Sequence, residues 1–144
     1  MNSNHLDRNT TSLVFESGQH TDPFSVNRSI AALICCLRNA RCINTQDVEN
    51  RHIEILKDYS KGLPELTQML YRHEITQEDE FVMFPGYKNF QFVEEGEPLA
   101  NDKNGTVVSP FAGMILLPLY QKQGSDGFFI VKKLKHEDIY RPGN

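Results

Sequence analysis

Thr11-Ser12-Leu13-Val14-Phe15-Glu16-Ser17-Gly18-Gln19-His20-Thr21-Asp22-Pro23 passes from an apolar run to a polar turn and a helix-start signal. Residues 11–15 form a short, mostly apolar run and predict a buried strand. Glu16-Ser17-Gly18-Gln19-His20 then falls at the C-terminal end of that strand, where open α/β sheets build their sites. Asp22 and Pro23 supply an N-cap and a first helical residue. Val26, Ile30, Leu33, Ile34 and Leu37 recur at helical spacing, so residues 23–40 are expected as an amphipathic helix. Arg38 and Arg41 near its end suit the negative pole of the helix dipole. Strand, turn and helix together make one βα unit.

In that position Glu16 is a candidate general base toward a water. The same carboxylate has two structural uses: capping the helix that follows, or pairing with an arginine such as Arg28. Gly18 suits a tight turn or a close approach to substrate. Gln19 and His20 have groups that hydrogen-bond an acyl oxygen or a carboxylate, and equally read as solvated loop residues.

Residues 45–61 predict a second helix, with Val48, His52, Ile55, Leu56 and Tyr59 on one face and Gly62 as its stop. A lone histidine on an apolar helix face reads as structural, so His52 is expected in the packing. Gly62-Leu63-Pro64 marks the domain boundary, dividing the chain into residues 1–62 and 63–144. Beyond it the pattern turns to short β segments. Met69, Tyr71, His73 and Ile75 alternate, and residues 81–84, 89–93, 106–108, 113–119 and 127–134 follow. Pro85-Gly86, Glu95-Gly96, Asn104-Gly105 and residues 124–127 separate them, with Asn104-Gly105 the strongest hairpin signal. The expected fold class is α+β: a βα unit of an α/β domain followed by a small β-rich barrel or sandwich. Phe81, Phe84, Phe90, Phe92, Phe111, Phe128 and Phe129 are its expected core.

The 144 residues are 39% hydrophobic and 24% charged, an ordinary globular balance. A net charge of −4 leaves no basic footprint for nucleic acid, and the apolar run at residues 114–119 is too short to cross a bilayer. Met1-Asn2-Ser3-Asn4-His5 leads into polar residues rather than a signal sequence, and Cys35, Cys36 and Cys42 suggest no disulfide framework. A cytoplasmic location is the expectation.

Three stretches resemble the C-terminal part of the succinylglutamate desuccinylase/aspartoacylase family of zinc-dependent deacylases, which are related to the zinc carboxypeptidases. The first is Phe15-Glu16-Ser17-Gly18-Gln19-His20-Thr21-Asp22-Pro23. The second is Arg72-His73-Glu74-Ile75 with Phe84-Pro85-Gly86-Tyr87-Lys88-Asn89-Phe90 and Gly96-Glu97-Pro98-Leu99-Ala100. The third runs from Ser109-Pro110-Phe111-Ala112-Gly113 through Met114-Ile115-Leu116-Leu117-Pro118-Leu119-Tyr120, with Asp126-Gly127-Phe128-Phe129 beyond. Their order matches as well as their content, and they cover most of the chain apart from residues 43–70 and the two ends.

The resemblance implies hydrolysis of an N-acyl amino acid, with Glu16 as the base that activates a zinc-bound water. It implies substrate contacts from Gln19 and His20, and from Tyr120 as an aromatic hydroxyl near the substrate. The pairing of residues 96–100 with residues 109–113 also resembles the barrel-sandwich halves of biotinyl and lipoyl domains, but no exposed hairpin-tip lysine stands out for a carrier role.

The zinc ligands that the resemblance implies, a His-x-x-Glu pair and a later histidine, have no counterpart in this sequence. None of His5, His20, His52, His73 and His136 has a glutamate three residues later, and the cysteines form no Cys-x-x-Cys pair. A catalytic zinc needs about three protein ligands, so no tightly bound metal is expected from this chain alone. The chain therefore reads as the C-terminal part of an amidohydrolase, inactive by itself, whose zinc-binding half is a separate N-terminal segment. A non-catalytic docking module and an inactive truncated remnant are the alternatives. Exposed strand edges and apolar helix faces would favour a homodimer.

Overall fold

The computed structural model describes residues 13–18, 22–121, 124–135 and 137. Contacts divide the chain into two compact units, Met1–Gly62 and Leu63–Asn144.

In the first unit, α1 spans Ser25–Asn39 and α2 spans Arg51–Ser60, with a single 3-10 turn at Thr45–Asp47 between them. The entry to α1 is built by Asp22. Its Oδ1 accepts the Phe24 N–H at 2.9 Å and its carbonyl accepts the Ser25 N–H at 3.1 Å. The N-cap is Phe24, two residues later than the sequence indicates, because the Asp22 side chain closes a turn before the helix begins. At the other end Arg41 takes φ 58°, with Cys42 N–H donating to Leu37 O at 2.9 Å and Arg41 N–H to Arg38 O at 3.0 Å. This is the Schellman arrangement, with an arginine where glycine is more usual.

Three expectations for this unit are corrected. Residues 13–18 carry no strand, and Leu13 and Val14 are 76% and 82% exposed. A strand is held by its ladder, and the described residues offer this segment no neighbour to pair with. Thr11 and Ser12 lie outside the described residues. The buried side of α1 is Ala31 and Ala32, while Val26, Ile30 and Leu33 of the expected core stripe are exposed. α1 packs against α2.

The helix expected over residues 45–61 is broken. Val48 is extended (φ −136°, ψ 134°) and Asn50 caps a later start. Asn44 Nδ2 donates to Asp47 Oδ2 at 3.0 Å, a local side-chain bond that competes with helix continuation. His52 is buried, as its place on the apolar face predicts.

The second unit is antiparallel throughout: β1 (Thr67–Glu74), β2 (Val82–Met83), β3 (Phe92–Val93), β4 (Pro98–Asp102), β5 (Gly105–Val108), β6 (Gly113–Leu116) and β7 (Asp126–Lys133). One sheet has the order β1-β7-β6-β3, the other β2-β4-β5. Met83, Val93, Leu99, Ala100, Ile115, Phe128 and Ile130 form a single core, with Leu70, Tyr71, Phe81, Tyr87 and Val107 packed around it. Gly113 is where β6 closes on β7. A Cβ there would lie 2.8 Å from Ile130 Cγ2 and 2.9 Å from Val131 O.

The α+β class holds, but the described residues form no closed barrel: the two sheets keep separate edges. The segments expected at residues 89–93 and 113–119 shorten to two and four residues. Phe90 (φ 64°) and Leu117 (φ 50°) are left-handed, which ends pairing at both. Phe90 N–H still donates to Ile115 O, at 2.8 Å, but Leu117 N–H turns to the Asn89 side chain, at 2.6 Å. Of the seven phenylalanines expected inside, Phe128 is fully buried and Phe81 packs beside the core, whereas Phe92 and Phe111 are exposed. No helix among the described residues is long and apolar enough to cross a membrane.

Candidate functional site

Arg28, one turn into α1, organises the segment that carries Glu16. Its Nη1 donates to Ser17 O at 3.0 Å and to Asp22 Oδ2 at 2.6 Å. The guanidinium carbon also lies 3.9 Å from the centroid of the Tyr59 ring, a cation–π contact between α1 and α2. Gly18 fits this corner in two ways. Its φ is 112°, and a Cβ would come within 3.0 Å of Arg28 Nη1 and 3.4 Å of Asp22 Oδ2. The Arg28 bond, then the Phe24 amide, holds the Asp22 carboxyl below its ordinary value, outweighing the opposing effect of burial.

Asp22, rather than Glu16, closes the turn before the helix and pairs with Arg28. The Glu16 side chain is exposed and takes part in no hydrogen bond or ion pair among the described residues. Its neighbour Ser17 is anchored through the main chain. The result is a carboxylate facing solvent from a backbone that is held. Gln19 and His20, the other candidates on this turn, lie outside the described residues.

Tyr120 belongs to a different constellation. Its hydroxyl accepts the Tyr87 N–H at 2.8 Å and faces Phe84 O at 3.0 Å and Tyr87 O at 3.1 Å. It therefore closes the Pro85-Gly86 turn, with Gly86 at φ 103°. Tyr87 in turn donates its hydroxyl to Glu97 Oε1 at 2.9 Å and Pro98 O at 2.8 Å. Burial, with the Glu97 carboxylate adding to it, pushes that phenol up to about 12.

Arg72 is paired with Asp126 at 2.6 Å and with Glu74 at 2.7 Å. His73 lies in a ring cluster with Tyr71, Phe81 and Phe128. Lys103 does sit at a hairpin tip, between β4 and β5, although it does not stand out in the sequence. Its Nζ is 2.9 Å from Asp79 Oδ1, so the ammonium is tied down rather than presented.

No group of three or more His, Cys, Asp or Glu side chains that could hold a metal occurs among the described residues. His52 Nδ1 and Arg38 Nη1 are buried without hydrogen-bond partners among the described residues. The described side chains do not fit a zinc site.

Arg28 appears in the sequence only as a possible partner for Glu16. The signal for its true role was the Asp22 spacing, six residues before it, together with a tyrosine on the second helix. Compared with family models, with curated proteins and with solved structures, the chain matches none of them.

Proposed function

We propose that this chain is the C-terminal part of an amidohydrolase of the succinylglutamate desuccinylase/aspartoacylase kind, acting on an N-acyl amino acid, with Glu16 as its general base. On this reading α1 and α2 end an α/β zinc-peptidase-like domain, and the β-rich unit is its accessory domain. The observation that carries it is the division of labour between two carboxylates. Asp22 closes the turn before α1 and takes the ion pair with Arg28, and Glu16 is left exposed beside a main chain anchored by Arg28.

Such a carboxylate can take a proton from a water as the water oxygen attacks the acyl carbon. It can then return that proton to the departing amine nitrogen, giving the free amino acid and a carboxylic acid. The zinc that the resemblance implies does not fit the side chains described in this chain, so no step is routed through it. The metal-bearing half is assigned to a separate N-terminal segment.

The test begins with the coding sequence upstream of Met1. A polypeptide that adds an in-frame segment with His-x-x-Glu and a later histidine should release amino acids from N-acyl substrates. Glu16→Gln should lower that rate by roughly 10²- to 10⁴-fold. Full activity of the glutamine variant would sink the assignment.

A second reading, a docking module without chemistry of its own, draws on Leu13, Val14, Val26, Ile30 and Leu33, all exposed and apolar. It predicts stable association with a zinc-bearing half and no turnover by the assembled pair. Homodimerisation through the same surface is expected of the chain alone. A clean monomer by sedimentation at high micromolar concentration would count against that.

A further inference from the structure

We propose that His73 is an acid-sensitive latch within the β-rich unit: its neutral imidazole closes a ring cluster that joins the two sheets, and its protonation loosens β1 from β7 at that end. His73 on β1 stands opposite Phe128 on β7 in the ladder, and their rings stack at 4.9 Å with 7° between planes. Phe128 is fully buried. Phe81, immediately before β2 of the second sheet, packs against His73 at 5.4 Å and against Phe128 at 6.5 Å. The three rings therefore bridge the sheets.

Gly127 makes room for them, since a Cβ there would meet Phe81 Cζ at 2.6 Å and His73 Cδ2 at 3.0 Å. Tyr71 completes the cluster, its hydroxyl 3.0 Å from His73 Nδ1. The ladder is already irregular at this point, with a register shift between His73 and Glu74.

The charges around the ring do not offset its burial. Asp79, in the 3-10 turn Gln77–Asp79 before β2, and Asp102, at the end of β4, both favour the imidazolium. Asp79 is committed to Lys103 and to Thr76. On the strands themselves, Arg72 is paired with Glu74 and Asp126. Burial against the rings prevails, and the imidazole binds its proton less readily than a free one. An unfolded histidine protonates near pH 6.5. The ordered cluster is thus fully favoured above that pH, loses stability as pH falls from there through the lower folded value, and then levels off.

Amide hydrogen exchange on the whole chain tests this, read as protection factors so that the intrinsic pH dependence is removed. Between pH 7.5 and 5, amides of β1 and β7 flanking His73 should lose protection several-fold, and those of the β4–β5 hairpin should lose less. His73→Phe keeps a ring against Phe128 but cannot be charged, and should remove the difference. The same pH-dependent loss in that variant, or a uniform loss across both sheets, would overturn the latch. Should the variant fail to fold, the His73 Cε1 proton resonance of the unaltered chain decides. A midpoint below that of free imidazole, with Phe128 ring shifts moving in step, supports the latch. A midpoint at or above it refutes the latch.

Discussion

Arg28 Nη1 donates to the carbonyl of Ser17 at 3.0 Å, and this bond ties the residue after Glu16 to the first helix. The same guanidinium is paired with Asp22 and lies over the ring of Tyr59. One side chain thereby holds the turn, the helix entry and the second helix together. Arg28→Ala should destabilise the N-terminal unit by about 1–3 kcal/mol, because a carbonyl and a carboxylate both lose a charged donor. Arg28→Lys should recover only part of this, since an ammonium lacks the fork and the flat face. Urea unfolding, with exchange at the Gly18 amide as the local readout, measures both.

Glu16→Gln should leave folding nearly untouched, within about 0.5 kcal/mol in the isolated chain, because the side chain is exposed and unpaired among the described residues. A large loss of stability would give Glu16 a structural task and remove the ground for its assignment as a base.

Gly113→Ala should cost about 1–3 kcal/mol, since its Cβ would press on the Val131 carbonyl as well as on Ile130. Backbone cannot step aside as a flexible side chain can. Thermal unfolding of the β-rich unit is the measurement, and an unchanged midpoint would mean that β6 and β7 separate more readily than their packing indicates.

Tyr120→Phe removes a hydroxyl that meets three backbone groups. The expected loss is about 0.5–1.5 kcal/mol, with faster exchange at the Tyr87 amide. An unchanged Tyr87 amide would release Tyr120 from its structural role and strengthen its candidacy as a substrate contact.

Acid should weaken the β-rich unit through Asp79. Its carboxyl is lowered to about 2 by Lys103 first, then by the backbone and hydroxyl of Thr76. A depressed carboxyl stabilises the fold above the unfolded value near 3.9, and that contribution disappears as pH falls toward about 2. The unfolding midpoint of the wild-type chain should therefore fall across that window. Asp79→Asn should flatten the profile, and an identical slope in the variant would exclude this carboxylate as the cause.

The sequence was legible wherever a local rule acts alone. Helical spacing over residues 23–40 and the Gly62 stop both have counterparts in the structure, in α1 and in a glycine at φ 81°. It misled where an element depends on neighbours. The apolar run ending at Phe15 reads as a strand, yet no described residue pairs with it. The stripe Val26, Ile30 and Leu33 reads as core, yet these three are exposed and Ala31 and Ala32 are buried instead. Phe90 and Leu117 give no sequence signal for a left-handed backbone, because bulky residues rarely adopt it.

For the candidate site, the chain by itself determined which groups are available: a glutamate, an aspartate six residues later and an arginine six beyond that, with a glycine between the carboxylates. Composition and spacing are local properties, and chemistry can be read from them. Which carboxylate the arginine would take was decided only by tertiary structure. Helix α1 brings Arg28 back to Asp22 and Ser17, α2 lays Tyr59 beneath it, and Glu16 is left outside the pairing. An ion pair needs a distance of a few ångströms, and that distance is set by how the helices pack rather than by the order of residues along the chain.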